Sequence, residues 1–294
     1  MTDPVPPKRV FHPAREEALA AAQATESPQT VSPAYKLAFQ DMDFLLREDL
    51  RPVRFQLELL KPELLLDEAN IASTFVFYGS ARIPEPSKAD ALIEAAATDR
   101  QRLVAERLKA KSKYYDEARK LARITSRVQP DSEGRRQFVV CSGGGPSIME
   151  AANRGAQDEG QDSIGLNIVL PHEQLPNEYV TPSLSFRFHY FALRKMHFLL
   201  RARAVAVFPG GYGTFDEAFE LLTLVQTTKV KPLPILFFGR DYWNRVVNFE
   251  ALVEEGVISE ADLGLFTFCE TAEEAWRCVC DYYSSMHEDL GCGP

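Results

Sequence analysis

Two carboxylates stand in this sequence where a phosphate site would least want them. Residues 207–217 read Val-Phe-Pro-Gly-Gly-Tyr-Gly-Thr-Phe-Asp-Glu. Three glycines let a backbone turn tightly and lie close against a ligand. The apolar run Ala204–Phe208 before them reads as a buried strand. After them Phe215, Ala218, Phe219, Leu222 and Val225 recur at helical spacing, with Thr214 placed to cap that helix. A strand, a Gly-rich turn and a helix N-terminus offer an anion unpaired N–H groups and the positive end of a helix dipole. Asp216 and Glu217, in the first turn, would repel that anion unless one of them has another task.

The same logic recurs twice upstream. Phe138–Cys141 reads as a strand, followed by Ser142-Gly143-Gly144-Gly145 and then Pro146 at the first turn of a helix, where its missing N–H does no harm. That helix continues through Ile148, Met149, Ala152 and Gly155. A third strand, Thr74–Tyr78, runs into Gly79-Ser80-Ala81-Arg82. Gly143, Gly144 and Gly145 are either a tight turn alone or contacts to phosphate or ribose, and the proline opening a helix favours contact. Met149 belongs either to the core or to the lining of a base pocket. Ser80 and Arg82 are candidates for ligand contact.

Three turns at strand C-terminal ends need a sheet that brings them to one edge, the edge where open α/β sheets bind ligands. Downstream of Gly145 the chain alternates between helices and strands. Helices are expected over Pro146–Gln157, Ala192–Arg203 and Thr214–Gln226, near Tyr242–Glu254, and over Ala272–His287. Strands are expected over Ser163–Leu170, Ala204–Phe208, Pro234–Phe238 and Leu265–Cys269, with a short extended piece at Ser185–Phe188. Alternation of this kind implies a doubly wound, mostly parallel, Rossmann-like sheet with helices on both faces. Ser87–Arg127 reads as a long helical segment broken near Ala97–Thr98. Residues 1–34, rich in Pro, Ala, Ser, Thr and Glu, read as a flexible arm. Residues 35–70 read as an N-terminal helical extension with helices over Tyr35–Arg47 and Val53–Ala69. The catalytic domain is expected to span 71–294.

The chain of 294 residues carries a net charge of −9, so a phosphate ligand has to be held by local geometry and not by an overall basic field, and nucleic acid is not an expected partner. Its five cysteines, Cys141, Cys269, Cys278, Cys280 and Cys292, are odd in number and lack CxxC spacing, which suits a reducing compartment without structural zinc. No run of 18 apolar residues is present and the N-terminus lacks an apolar signal core, so the expectation is a cytoplasmic protein away from membranes. The histidines, His12, His172, His189, His197 and His287, are scattered and read as structural or solvent-facing. No metal or organic cofactor is indicated.

Generic fingerprints do not fit. Both Gly-rich turns lack the third glycine of GxGxxG, and no Gly-Lys pair exists for a Walker A loop. The combination is more specific than its parts. Pro209-Gly210-Gly211-Tyr212-Gly213-Thr214-Phe215-Asp216-Glu217 resembles the PGGxGTxxE signature of the LOG family, the cytokinin riboside 5′-monophosphate phosphoribohydrolases once labelled lysine decarboxylases. Leu193-Arg194-Lys195-Met196 is similar to the Arg-Lys helix that precedes that signature. Ser142–Gly145 with Met149 resembles the family's second Gly-rich turn, and Tyr78-Gly79-Ser80-Ala81 its first, with Tyr78 in place of the usual Cys. The resemblance covers most of residues 72–285, and the N-terminal helices place the chain among longer, bacterial-type members.

The resemblance implies hydrolysis of the N-glycosidic bond of a nucleoside 5′-monophosphate, AMP or a cytokinin-type nucleotide, giving free base and ribose 5-phosphate. Such cleavage passes through an oxocarbenium-like ribosyl cation. Glu217 would stabilise that cation or activate water, which gives the acid in the anion turn its task. Arg194 is the second catalytic candidate, able to orient Glu217, pair with phosphate or support departure of the base. Lys195 points elsewhere on its helix and assists at most. Gly79, Ser80, Gly143, Gly144, Gly145, Met149, Lys195, Gly210, Gly211, Tyr212, Gly213 and Thr214 form the implied substrate site. Tyr212 is a surface aromatic or a lid, and Asp216 faces solvent or the ribose. The Phe188–Phe191 cluster stacks a base or packs the core. A homodimer or larger homo-oligomer is also implied. Two other readings compete: a nucleotide-binding or sensing protein without catalysis, and a pyridoxal-phosphate decarboxylase, for which Lys195 is the only lysine near the motifs.

Overall fold

A computed structural model describes residues 12–23, 25–171 and 175–286. The chain divides into two compact units, residues 1–57 and 58–294. The first holds α1 (Ala14–Ala21), α2 (Met42–Leu45), several short 3-10 turns and the opening of α3 (Arg51–Glu68), which crosses the division. The expected arm falls partly outside the described residues, at 1–11 and 24. A single helix over Tyr35–Arg47 is not formed. Lys36 and Leu37 are extended, and Asp41 starts a new helix by accepting a hydrogen bond from the Phe44 N–H at 3.3 Å. A side chain that caps competes with helix continuation, and here it wins.

In the second unit the elements after α3 are β1 (Thr74–Tyr78), α4 (Ala89–Glu94), α5 (Asp99–Lys109), α6 (Lys113–Thr125), β2 (Val139–Ser142), α7 (Ile148–Asp158), β3 (Ser163–Ile168) and β4 (Ser185–Phe188). They are followed by α8 (Phe191–Leu200), β5 (Ala202–Val207), α9 (Tyr212–Gln226), β6 (Ile235–Phe238), α10 (Arg240–Val246), α11 (Phe249–Glu254), β7 (Thr267–Cys269) and α12 (Ala272–Ser284). The segment 87–127 breaks twice. Thr98 and Gln101 form a capping box that starts α5, and a turn at Ser112 starts α6. Asn248 caps α11 and so splits the helix expected near Tyr242–Glu254. α12 ends at Ser284, and His287 lies outside the described residues, as do His172 and Cys292.

Among the described residues seven strands pair in parallel, in the order β4-β3-β2-β1-β5-β6-β7. The chain steps outward from β1 to β4, returns to β5 beside β1, and steps outward the other way. Successive residues of a strand point to opposite faces, so a strand covered on both sides is mostly apolar on both. β1 shows this. Phe75 and Phe77 join one core with α6, α7 and α12, while Val76 and Tyr78 join the other with α8 and α9. β5 divides its sizes between the faces, with Ala204 and Ala206 toward the first core and Val205 and Val207 toward the second. The doubly wound fold expected from the alternation of elements is therefore present.

Among the described residues Cys141, Cys269 and Cys278 are free thiols. His197 is buried, its Nε2 3.1 Å from the Glu58 carbonyl oxygen. Among the described residues no helix is long and apolar enough to cross a membrane.

Candidate active site

The winding direction reverses between β1 and β5, and a crevice opens there at the carboxyl ends of the strands. Two backbone bonds join the turns that follow these strands. The Phe208 N–H donates to the Tyr78 carbonyl at 2.8 Å and the Ser80 N–H to the Pro209 carbonyl at 3.1 Å. Gly210 has no room for a side chain, because a Cβ there would lie 2.1 Å from Thr214 Oγ1. Its carbonyl accepts a hydrogen bond from the Tyr242 hydroxyl on α10. Thr214 does not cap the helix as expected. α9 starts at Tyr212 with Gly211 as its N-cap, and the Gly211 carbonyl accepts from the Phe215 N–H at 3.0 Å. The buried Thr214 instead fills the space that Gly210 leaves. The first N–H groups of α9 have no partner within the helix, and residues 210–214 line the crevice.

The second Gly-rich turn is held by a buried amide network. Ser142 Oγ donates to Asn153 Oδ1 at 2.8 Å and accepts from the Gly144 N–H at 3.1 Å. Asn177 donates through Nδ2 to Asn153 Oδ1 and to the Gly145 carbonyl, both at 2.9 Å, and its own N–H donates to the Gly144 carbonyl at 2.8 Å. Gly144 sits at φ +70°, and a Cβ there would also strike the Asn167 amide at 2.6 Å. Pro146 lies before the helix and not in its first turn. α7 starts at Ile148, after Ser147 at φ 68°. A non-glycine residue in that region is strained and marks an over-determined turn.

Arg194 reaches the crevice from α8. Its Nε donates to the Leu166 carbonyl at 2.6 Å and its Nη1 to Glu217 Oε1 at 3.0 Å. Its guanidinium also lies 4.9 Å from the centre of the Phe198 ring. The Glu217 side chain is 13% exposed. Burial pushes its carboxyl up to about 7, against the pull of Arg194 in the other direction. Tyr78 lies beside this pair, and burial together with the Glu217 charge holds its phenol well above the usual range, in the neutral form. A Cβ on Gly143 would lie 2.6 Å from Arg194 Nη2 and 2.8 Å from Met149 Sδ, so this glycine leaves room for the guanidinium.

These groups line one cavity of about 860 Å³, a size suited to a small-molecule ligand. Gly79 and Ser80 enter from the first turn, Gly143, Gly145 and Met149 from the second, and residues 210–214 with Glu217 from the third, together with Arg194. Two of the residues expected there are absent from the lining. Gly144 gives its N–H to Ser142 and its carbonyl to Asn177, so its role is to shape the turn. Lys195 ion-pairs with Asp216 at 2.9 Å and Glu220 at 2.7 Å, because one residue along a helix turns the side chain about 100° away from Arg194. Tyr212 is 97% exposed at the mouth. The lining also includes Asn167, Ile168 and Leu170 from the end of β3, and Tyr242 and Val246 from α10, none of which belongs to a motif. Phe191 lines the cavity, while Phe188 packs in the core. Among the described residues no cluster of three His, Cys, Asp or Glu side chains could hold a metal ion.

A family model described as "Possible lysine decarboxylase" matches residues 149–279. A probable cytokinin riboside 5′-monophosphate phosphoribohydrolase, LOG4 of Oryza sativa subsp. japonica, is 30% identical over 146 residues, 48% of this chain and 61% of its own length. The resemblance to the LOG family is borne out. LOG4 of Arabidopsis thaliana, a cytokinin riboside 5′-monophosphate phosphoribohydrolase, is 28% identical over 159 residues, 52% of this chain and 70% of that one. LOG2 of the same plant is 25% identical over 183 residues, 61% and 81%. The span of the family model takes in Arg194, Glu217 and the whole signature, and leaves out the first two Gly-rich turns. The X-ray structure of TM1055, a structural-genomics target, aligns over 70% of this chain and 98% of that one with a TM-score of 0.44 and 19% identity.

Proposed function

We propose that the protein hydrolyses the N-glycosidic bond of a nucleoside 5′-monophosphate to free base and ribose 5-phosphate. The observation that carries this reading is a buried carboxylate, Glu217, held by Arg194 within a cavity that the N-terminus of α9 also lines. A phosphate seated on the α9 N–H groups puts the attached ribose within reach of the next turn of the helix, where Glu217 stands. The bond from C1′ to the base breaks with its electron pair leaving on the base. Water adds its oxygen to C1′, one of its protons goes into solution by way of Glu217, and the base takes up a proton. An ionised Glu217 stabilises the positive charge at C1′ and accepts the proton of the attacking water. Arg194 keeps that carboxylate ionised and oriented. The activity for which these relatives are named agrees with this chemistry. A decarboxylase fits less well, since Lys195 is paired with Asp216 and Glu220 and does not line the cavity.

AMP and cytokinin-type nucleotides are both within this reading. So are a cytoplasmic setting and a homo-oligomer, the latter supported by Leu60 and Leu64 on α3 and Met196 and Leu200 on α8, all exposed. The test is to incubate the pure protein with AMP, GMP, CMP, UMP, IMP and isopentenyl-AMP and to follow base and ribose 5-phosphate by chromatography. Base release from at least one nucleotide is expected. Binding without release from any of them would favour a nucleotide sensor. A milder expected result concerns Gly143→Ala. Its methyl group displaces the Arg194 guanidinium, and kcat/KM is expected to drop about tenfold or more with thermal unfolding little changed.

A further inference from the structure

A nucleoside monophosphate brings close to two negative charges into the cavity, and the cations nearest the motifs are already engaged. Arg194 is committed to the Leu166 carbonyl and to Glu217, and Lys195 to Asp216 and Glu220. The end of α9 supplies about half a positive charge, and Glu217 on the same helix opposes it. One more guanidinium borders this space. Arg82 lines the cavity, is exposed, and has no carboxylate partner among the described residues. Its backbone is held by its neighbours. The Arg82 N–H donates to Ser80 Oγ at 3.0 Å, Ser80 is bonded to Pro209, and the next residue, Ile83, is buried with its carbonyl bonded by Ser147. The pairing of β1 with β5 sets this turn beside the Gly-rich signature.

We infer that Arg82 binds the phosphate of the substrate, completing the anion site that the α9 N–H groups begin. A guanidinium can give a phosphate two parallel hydrogen bonds, which a backbone turn alone does not supply. This assignment rests on the phosphoribohydrolase reading for its substrate, but not for its test. Binding of ribose 5-phosphate, which carries the phosphate and no base, is measured by calorimetry for the wild type, Arg82→Ala and Arg82→Lys, alongside KM and kcat for the best nucleotide of the panel. Arg82→Ala is expected to weaken ribose 5-phosphate binding and raise KM by about 10- to 100-fold, with kcat within about threefold of wild type. Arg82→Lys is expected to recover part of both. Ribose 5-phosphate affinity that is the same in Arg82→Ala, or a wild type that binds no ribose 5-phosphate, overturns the inference. So does a loss confined to kcat. If the wild type releases no base from any nucleotide, the hydrolase reading fails, and the titration still decides Arg82.

Discussion

Glu217→Gln is expected to lower kcat for base release by about 10³-fold while the nucleotide still binds. Glutamine keeps the shape and can still accept a hydrogen bond from Arg194, but it carries no charge for the ribosyl cation and takes no proton from water. The same carboxyl sets a pH profile. Burial raises it from 4.5 to about 7, and its ionised form is the active one, so kcat/KM of the wild type is expected to climb with pH through a limb centred near 7. Stability runs the opposite way. A carboxyl raised in the folded state binds its proton more tightly there than in the unfolded chain, so ionisation works against folding. Relative to Glu217→Gln, the wild type is expected to lose about 3 kcal/mol of stability as pH rises from below 4.5 to above 7, at about 1.36 kcal/mol per unit of the shift. Urea unfolding of both proteins at pH 4.5 and pH 8 measures the difference. A gap that stays constant with pH would mean that Glu217 titrates normally and is not a base tuned by burial.

Arg194→Gln is expected to act through this same group. Arg194 opposes the burial that raises the Glu217 carboxyl, and its removal leaves a buried acid without its ion-pair partner. The limb of kcat/KM is expected to move to higher pH, and activity at pH 7 to fall about 100-fold, with part of the loss recovered at pH 9. A uniform loss with an unmoved limb would show that Arg194 serves the substrate directly and not the carboxylate. Paired with Glu217→Gln, the variant forms a double-mutant cycle, and strongly non-additive losses are the expected sign that the two residues work as a unit.

The parts of the site legible in the sequence are those where local chemistry leaves no choice. A glycine run between an apolar strand and an amphipathic helix has few other uses, and all three such turns meet at one sheet edge. What the sequence does not show is direction. Gly143 and Gly144 are neighbours of the same type. One leaves room for a guanidinium, and the other is closed in by Asn167 and Asn177, and only the packed structure separates them. Arg194 and Lys195 differ by one helical step, and that step sends the lysine to Asp216 and Glu220. Helix starts were misplaced by two residues at Pro146 and Thr214 because Ser147 and Gly211 occupy the entry positions, one through an unusual φ and the other through its carbonyl. Asn167, Tyr242 and Val246 come from a strand end and from α10 and are brought to the cavity by topology alone.

The two backbone bonds between the turns after β1 and β5 also bear on traffic. They tie the two halves of the sheet together at the base of the crevice, where an open α/β fold is otherwise free to part. Tyr242 adds a further tie to Gly210 from α10. A pocket laced along its floor does not open like a book. The exposed ring of Tyr212 stands among the lining residues, and the turns beneath it are held in register with one another.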